Sequence, residues 1–186
     1  MENDVAKKTV DALKSAGIDF ITYLPETRLS RILPLLEADA SFTLVPTSSE
    51  AEAVTIASGA ALVGKQPAVY MEGTGLFVCA YNLLTVGLRV GTPMLLLISY
   101  VGSMADQKNS FRFAPTGIRT EEQLRALHVE YDILEDPARV ETQMRDAAVV
   151  QRSRSGGAGS AGKLGRLRKI FDAFSVLTRL NSMSSA

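Results

Sequence analysis

Apolar residues along positions 1–150 alternate between short, nearly unbroken runs and longer segments in which they recur at helical spacing. The short runs predict β-strands, and the spaced segments predict helices with one apolar face. The uncharged run at 93–99 is the clearest strand, because such a run indicates burial on both faces of a parallel sheet. The predicted strands are 18–24, 42–45, 66–71, 93–99 and 131–134, and the predicted helices are 3–16, 28–36, 50–63, 76–89, 121–127 and 137–150.

This strict alternation of strand and helix predicts a doubly wound α/β fold with a mainly parallel sheet and helices on both faces. Folds of this kind bind ligands in a crevice at the carboxyl ends of their strands. The loops that follow four of the predicted strands should open on that edge. We therefore expect one shared crevice lined by Thr27, Glu50, Thr74 and Asp106.

The composition changes after position 150, which divides the chain of 186 residues into a domain and a tail. Residues 1–150 suffice for one domain with a hydrophobic core. Residues 151–162 are rich in Gly and Ser and predict a flexible linker. Residues 163–186 predict a basic amphipathic helix or tail, which we expect to dock on its own domain or a partner subunit. A membrane-surface or regulatory helix is the alternative.

Charge and composition argue against several classes of function. The formal net charge is zero, which argues against a general nucleic-acid binder. The single cysteine, Cys79, favours a reducing compartment and a packing role, and the single histidine, His128, is expected to face solvent or cap its helix. With one Cys and one His, no zinc site is expected. The polar, acidic start and the short apolar runs predict a cytoplasmic protein without an integral membrane segment.

Glu50 is the main candidate for chemistry, because it lies between a predicted strand and a helix of small residues. Either its charge meets the free backbone amides at the helix start, or it is a buried acid with a chemical role. Glu52 should point elsewhere on the helix. The turn Gly73-Thr74-Gly75 lacks the third glycine of a dinucleotide fingerprint and the lysine of a phosphate loop, so it is a weak signal alone.

Four stretches of the sequence resemble the pyrimidine-binding (PYR) domain of thiamine-diphosphate-dependent 2-oxo acid decarboxylases. Within that family the chain is similar to the separate alpha subunits of sulfopyruvate decarboxylase and to the matching half of phosphonopyruvate decarboxylase. The segment that starts at Glu50 and ends in Gly64-Lys65 is the most specific of the four. The matching stretches are 17–29, 49–67, 71–76 with Asn82, and 93–99.

The resemblance implies a lyase subunit in which Glu50 hydrogen-bonds N1′ of the aminopyrimidine ring and promotes formation of the cofactor ylide. It implies thiamine diphosphate as a cofactor shared with a partner, with Gly73, Thr74 and Gly75 as further contacts. The substrate would be a small 2-oxo acid such as sulfopyruvate or phosphonopyruvate. The candidates for its pocket are Pro25, Thr27, Asn82, Ser103 and Asp106.

The resemblance also implies what another chain must supply. In the family a Gly-Asp-Gly motif with a downstream Asn holds the diphosphate and Mg²⁺, and this sequence has no such motif. We therefore expect no metal ligands here, but a diphosphate-binding (PP-domain) beta subunit that binds Mg²⁺, in a heterotetramer or larger hetero-oligomer.

The sequence also departs from the family's pattern. The loop around Asp106 lacks the family's histidine, and the Gly/Ser linker replaces the family's last strand, so we expect the sheet to lack this edge strand or to receive it from a partner. Two alternatives therefore stay open: a catalytically degenerate PYR-domain scaffold or regulatory subunit of a larger assembly, and a stand-alone nucleotide-binding module.

Overall fold

Strands and helices alternate along the chain as the apolar pattern predicts. The computed structural model describes residues 2–26, 29–102, 114–155 and 173–178. The strands are β1 (Phe20–Tyr23), β2 (Thr43–Pro46), β3 (Pro67–Glu72), β4 (Met94–Ser99), β5 (Glu130–Leu134) and β6 (Ala173–Thr178). The helices are α1 (Glu2–Ser15), α2 (Leu33–Glu37), α3 (Glu50–Leu62), α4 (Gly75–Val78), α5 (Ala80–Asn82), α6 (Ala114–Gly117), α7 (Thr120–Ala126) and α8 (Val140–Ser155).

Two predicted helices are divided in the structure. The helix expected at 28–36 consists of a 3₁₀ turn, Leu29–Arg31, followed by α2, which has Pro34 in its first turn. Proline is tolerated there because the first turn of a helix needs no amide donor. The helix expected at 76–89 consists of α4, α5 and a π-helical segment, Leu83–Arg89, and we refer to the whole as the 75–89 helical run.

One sheet of parallel strands, in the order β2-β1-β3-β4-β6-β5, organises the fold. Helices α1, α2 and α8 pack on one face and share a core cluster that includes Leu13, Leu36 and Met144. Helix α3, the 75–89 helical run and α7 pack on the other face through residues such as Val54 and Leu124. The predicted doubly wound α/β fold is therefore confirmed.

The apolar run of β4 is explained by these two layers. All six of its residues are buried. Successive side chains of a strand point to opposite faces, so Leu95 and Leu97 enter one core cluster while Leu96 and Ile98 enter the other.

Buried hydroxyl groups fix α3 on the sheet. Thr22 Oγ1 of β1 donates a hydrogen bond to the carbonyl oxygen of Ala53 at 3.0 Å. The hydroxyl groups of Ser58 and Thr92 are paired at 2.8 Å, which joins α3 to the segment before β4. Buried polar groups are costly without partners, so these bonds restrict where α3 can lie. The start of α3 therefore has a defined position at the carboxyl edge of the sheet.

The prediction for the tail is wrong at 173–178, where the chain forms strand β6 rather than a helix. β6 lies between β4 and β5 and pairs with both, as in the alignment of Val176 with Leu97 and Asp132. The sheet therefore does not lack a strand, and this chain supplies it. The backbone groups of β4 and β5 require partners, and this pairing overrides the helical spacing of the apolar residues.

The other predictions for the C-terminal region are tested only in part. Helix α8 continues to Ser155, into the first residues of the predicted linker. The remaining linker residues, 156–162, and the tail residues 163–172 and 179–186 lie outside the described residues. Within the described ranges, no helix has the length and apolar character needed to cross a bilayer.

We expect Val176→Pro to lower the free energy of unfolding by about 3 kcal/mol or more, because proline removes a backbone donor from an interior strand. Urea denaturation followed by circular dichroism measures this change. The matched control, Asn3→Pro, changes a residue in the first turn of α1, where proline is tolerated, and should change the free energy of unfolding by less than about 0.5 kcal/mol. Equal stability of Val176→Pro and the natural chain would contradict the placement of β6 inside the sheet.

Candidate functional site

Glu50 is the first residue of α3, but other residues make the hydrogen bonds of the helix start. Ser49 is the N-cap, and its hydroxyl oxygen accepts a hydrogen bond from the Glu52 amide at 3.2 Å. Glu52 turns back so that its Oε2 accepts bonds from the amide and hydroxyl of Ser48, at 2.8 and 2.7 Å. These contacts give hydrogen-bond partners to the backbone amides at the start of α3, as capping residues do. The start of α3 is therefore capped without Glu50. This weakens the interpretation that the charge of Glu50 serves to meet the free backbone amides at the helix start.

The Glu50 side chain lies directly against the backbone of Gly75. A Cβ atom at Gly75 would be 2.5 Å from Glu50 Oε1 and 2.7 Å from Glu50 Cδ, far inside van der Waals contact. Only glycine at this position leaves room for the carboxylate. The structure thus brings together the two features that the sequence singled out separately, Glu50 and the turn that ends at Gly75.

The Glu50 side chain lies at the edge of the hydrophobic core, near Cys79. The residue is half-buried, and its carboxylate accepts no hydrogen bond from any described residue. Cys79 is fully buried nearby, with its Sγ 3.8 Å from Met71 Sδ. Burial, and secondly the charge of Glu50, raise the pKa of the Cys79 thiol to about 12. The Glu50 carboxylate therefore lies next to buried apolar side chains and can still accept hydrogen bonds.

The turn beside Glu50 is held from two sides. The Gly73 amide donates to the Ser99 carbonyl oxygen at 3.1 Å, and a Cβ at Gly73 would be 3.3 Å from Thr120 Oγ1. Thr74 Oγ1 donates to Glu72 Oε1 at 3.0 Å. Because these contacts involve β3, β4 and α7, the position of the turn follows from the packing of three elements.

A polar network that the sequence did not reveal anchors α7 above this turn. Tyr100 Oη donates to Glu121 Oε1 at 2.7 Å, and Tyr131 Oη donates to Glu121 Oε2 at 2.8 Å. Arg125 Nη2 donates to Glu121 Oε2 at 3.0 Å and to Tyr131 Oη at 2.6 Å. Burial, and then the Glu121 acceptor, raise the pKa of Tyr131. The only sequence signal was a tyrosine after one strand and a glutamate in a later helix.

The loop after β1 is also anchored by a carboxylate. Glu26 Oε1 accepts hydrogen bonds from Tyr70 Oη at 2.8 Å and from the Leu29 amide at 2.9 Å. The substrate-pocket candidate Pro25, next to it, is exposed. The sequence singled out Pro25 and Thr27 in this loop, whereas the residue with visible anchoring contacts is Glu26.

The remaining predicted residues are placed as follows. Asn82 Nδ2 donates to Thr55 Oγ1 of α3 at 3.1 Å, so Asn82 joins the 75–89 helical run to α3. The predicted packing role of Cys79 is confirmed, and His128 is exposed after α7. Thr27, Ser103 and Asp106 lie outside the described residues. Across the described ranges, no group of three or more His, Cys, Asp or Glu is placed to hold a metal ion.

Comparisons with known proteins identify a family for this arrangement. The model of the family described as thiamine pyrophosphate enzyme, N-terminal TPP binding domain, matches residues 3–112. The chain is 34% identical over 97 residues to sulfopyruvate decarboxylase subunit alpha of Methanocaldococcus jannaschii, covering 52% of this chain and 57% of that protein. It is 28% identical over 138 residues to the protein of the same name from Methanothermobacter thermautotrophicus, covering 74% and 82%.

Solved structures agree on the fold. Benzoylformate decarboxylase from Polynucleobacter necessarius aligns with a TM-score of 0.69 and 18% identity over 98% of this chain and 31% of that one. The thiamine diphosphate-dependent 4-hydroxybenzoylformate decarboxylase of Rhodococcus jostii RHA1 aligns with a TM-score of 0.66 and 14% identity, over 95% and 30%. The chain therefore corresponds to less than a third of each of these enzymes, and at such identities the likeness concerns the fold.

We expect Gly75→Ala to lower the free energy of unfolding by about 1–3 kcal/mol, because the added methyl group overlaps Glu50. Gly59→Ala is a matched control, since a Cβ at Gly59 would meet nothing within 4 Å. On an open helix surface this change should stabilise the chain by about 0.5–1 kcal/mol. Urea denaturation of both variants tests the contact, and a stabilised Gly75→Ala variant would contradict it.

The raised pKa of Cys79 predicts a loss of stability at alkaline pH. The thiol stays protonated in the folded chain up to about 12, whereas the unfolded thiol ionises above its ordinary value of 9.0. Unfolding therefore releases a proton in this window and becomes more favourable as the pH rises. Between pH 9.0 and 10.5 the natural chain should lose about 1.6 kcal/mol more than Cys79→Ala. Equal pH dependence of the two unfolding free energies would refute this assignment.

Proposed function

This chain belongs to the thiamine pyrophosphate enzyme, N-terminal TPP binding domain family, and on that premise we propose that it is the pyrimidine-binding subunit of a two-subunit thiamine-diphosphate-dependent decarboxylase. The proposed substrate is a small 2-oxo acid of the sulfopyruvate or phosphonopyruvate type. Relatives named sulfopyruvate decarboxylase subunit alpha support this choice. The observation that carries the proposal is the Glu50 carboxylate, held over Gly75 without a hydrogen-bond partner among the described residues.

The residues around Glu50 fit an aminopyrimidine ring. The Glu50 carboxylate lies in the space that Gly75 leaves, and the fully buried Leu76 and Cys79 give this side of the site an apolar character. An aromatic ring with polar nitrogens requires an apolar surface together with a hydrogen-bonding group at its edge. When bound, thiamine diphosphate supplies the electron sink that allows a 2-oxo acid to lose carbon dioxide.

In this proposal Glu50 is the catalytic residue and exchanges a proton with N1′ of the ring. A carboxyl group suits this role because it accepts a hydrogen bond when ionised and donates one when protonated. Gly73, Thr74 and Gly75 bind the ring as a shaped turn. The Thr74 hydroxyl already donates to Glu72, which favours a backbone role for this turn.

A second polypeptide completes the proposed enzyme. We assign the diphosphate and Mg²⁺ to a diphosphate-binding beta subunit, in a heterotetramer or larger assembly. The name of the relatives, subunit alpha, supports a partner chain, and the sequence contains no Gly-Asp-Gly motif. The free buried thiol of Cys79 favours the cytoplasm, where thiols stay reduced. Thr27, Ser103 and Asp106 stay predictions for the substrate pocket.

A catalytically degenerate scaffold or regulatory subunit is the second candidate. The observation in its favour is that His128, the only histidine in the sequence, is exposed after α7 and makes no hydrogen bond to Glu50. Such a subunit would assemble with its partner in the same way but would not need Glu50 for turnover.

Glu50→Gln in the co-expressed two-subunit complex distinguishes these candidates. We expect the turnover of the 2-oxo acid to fall at least about 100-fold, because an amide cannot exchange the proton. Glutamine keeps the shape of the side chain, so assembly should be unchanged on size-exclusion chromatography. The matched control is Glu52→Gln, whose carboxylate is directed to Ser48 and should not affect turnover beyond about twofold. Unchanged turnover in Glu50→Gln would contradict the catalytic role and favour the scaffold.

A further inference from the structure

The backbone of Gly73 lies between the end of β4 and the start of α7. The Gly73 amide donates to the Ser99 carbonyl oxygen at 3.1 Å, and a Cβ at Gly73 would be 3.3 Å from Thr120 Oγ1. Ser99 and Thr120 are both buried. Closely packed groups transmit small shifts to their neighbours. A displacement of α7 would therefore move the first residue of the Gly73–Gly75 turn.

A hydrogen bond joins the residues that follow Ser99 and Thr120 in the sequence. Tyr100 Oη donates to Glu121 Oε1 at 2.7 Å, and the tyrosine is 4% exposed. The pairs Ser99-Tyr100 and Thr120-Glu121 therefore enclose Gly73, and we call these four residues the Gly73 clamp. A buried hydroxyl is costly without an acceptor, so the bond to Glu121 restrains the distance between β4 and α7.

Glu121 holds the Gly73 clamp as a carboxylate that uses both of its oxygens. Oε1 accepts the bond from Tyr100, while Oε2 accepts from Tyr131 Oη at 2.8 Å and from Arg125 Nη2 at 3.0 Å. A glutamine has one acceptor oxygen and a nitrogen that only donates, so it cannot replace both acceptors. The Arg125 side chain is 62% exposed, and exposed ion pairs contribute little to stability. The bond to the buried Tyr100 is therefore a stronger restraint on α7 than the ion pair.

The turn that begins in the Gly73 clamp ends against Glu50. At Gly75, two residues after Gly73, a Cβ would be 2.5 Å from Glu50 Oε1. The clamp fixes the first end of the turn, and α3 presents the carboxylate to the second end. The distance between the Glu50 carboxylate and the backbone of the turn is therefore set by two helices, α3 and α7, that are far apart in the sequence.

We propose that Glu121 is a positioning residue for the Glu50 site, an inference that rests on the proposed function. Through Tyr100 and Thr120 it fixes Gly73, and so it holds the turn in the position that an aminopyrimidine ring requires. A site that is held in shape before its ligand binds loses less free energy in ordering, so it binds more tightly. Glu121 takes no part in proton exchange with the ring.

The first experiment needs no ligand and uses the isolated full chain. Glu121→Gln and Tyr100→Phe, made separately, should each speed hydrogen exchange of the Gly73 amide at least about fivefold, as measured by NMR. The Thr47 amide is the internal reference, because it donates to the Tyr23 carbonyl oxygen at 2.9 Å at the end of the edge strand β2. Its exchange rate should change by less than about twofold.

The matched control variant is Glu122→Gln, which changes the exposed neighbour of Glu121 on α7. Both amides should exchange in this variant within about twofold of their natural rates. Circular dichroism shows whether each variant is folded. Tyr100→Phe keeps the buried ring and decides the experiment if Glu121→Gln does not fold.

The second experiment measures the affinity of the co-expressed two-subunit complex for thiamine diphosphate in the presence of Mg²⁺. Glu121→Gln should raise the dissociation constant at least about fivefold, and Glu122→Gln should change it by less than about twofold. In the Glu50→Gln background the effect of Glu121→Gln should shrink below about twofold, because two residues that act on one contact are not additive. A general loss of stability would weaken binding equally in both backgrounds.

The inference is overturned if the Gly73 amide exchanges at its natural rate in both clamp variants, or if Gly73 and Thr47 are accelerated equally. It is also overturned if Glu121→Gln binds thiamine diphosphate as tightly as the natural complex, or loses the same affinity with and without Glu50. A natural complex that does not bind thiamine diphosphate refutes the proposed function, and the inference falls with it. If the natural complex binds the cofactor and Glu50→Gln loses turnover while Glu121→Gln changes nothing, the inference alone is refuted.

Discussion

The contact between the Glu50 carboxylate and the backbone of Gly75 is the constraint on which the candidate site depends. It requires two helices to begin side by side at one edge of the sheet, and one of them to begin with a glycine. The position of α3 is set by the buried hydroxyl bonds of Thr22 and Ser58, and the turn before Gly75 is set by β4 and α7. The rigidity of the site therefore comes from the packing of elements, not from bonds made by Glu50.

The polar side chains at the starts of α3 and α7 are hydrogen-bonded within the protein. Ser49 and Glu52 complete the start of α3, and Glu121 gathers two tyrosines and an arginine at α7. Each of these groups has its partners inside the protein. Glu50 lies among them with unused hydrogen-bonding capacity above a fully buried thiol. A carboxylate without a hydrogen-bond partner, close to polar groups that have one, is typical of a binding site that is organised before its ligand arrives.

The sequence predicted the strands of residues 1–150 because β4 is a nearly unbroken apolar run and the others are short segments rich in apolar or β-branched residues. It predicted the helices because apolar residues recur there at helical spacing. It also predicted that Glu50 and the Gly73–Gly75 turn belong to one edge, since loops after parallel strands meet there. Strand β6 was missed because helical spacing of apolar residues does not reveal a gap between β4 and β5. The network around Glu121 was missed because Tyr100 lies 21 residues away along the chain, so no local pattern links them.

The place of β6 in the sheet has a consequence for how the chain folds during synthesis. Among the strands of the described residues β6 comes last in the sequence, yet it separates β4 from β5 in space. While the ribosome is still making this segment, β4 and β5 each have an unpaired edge that another chain can join. The long-range pairing that closes both edges also favours slow folding. The nascent chain is therefore more exposed to aggregation before β6 leaves the ribosome than after it.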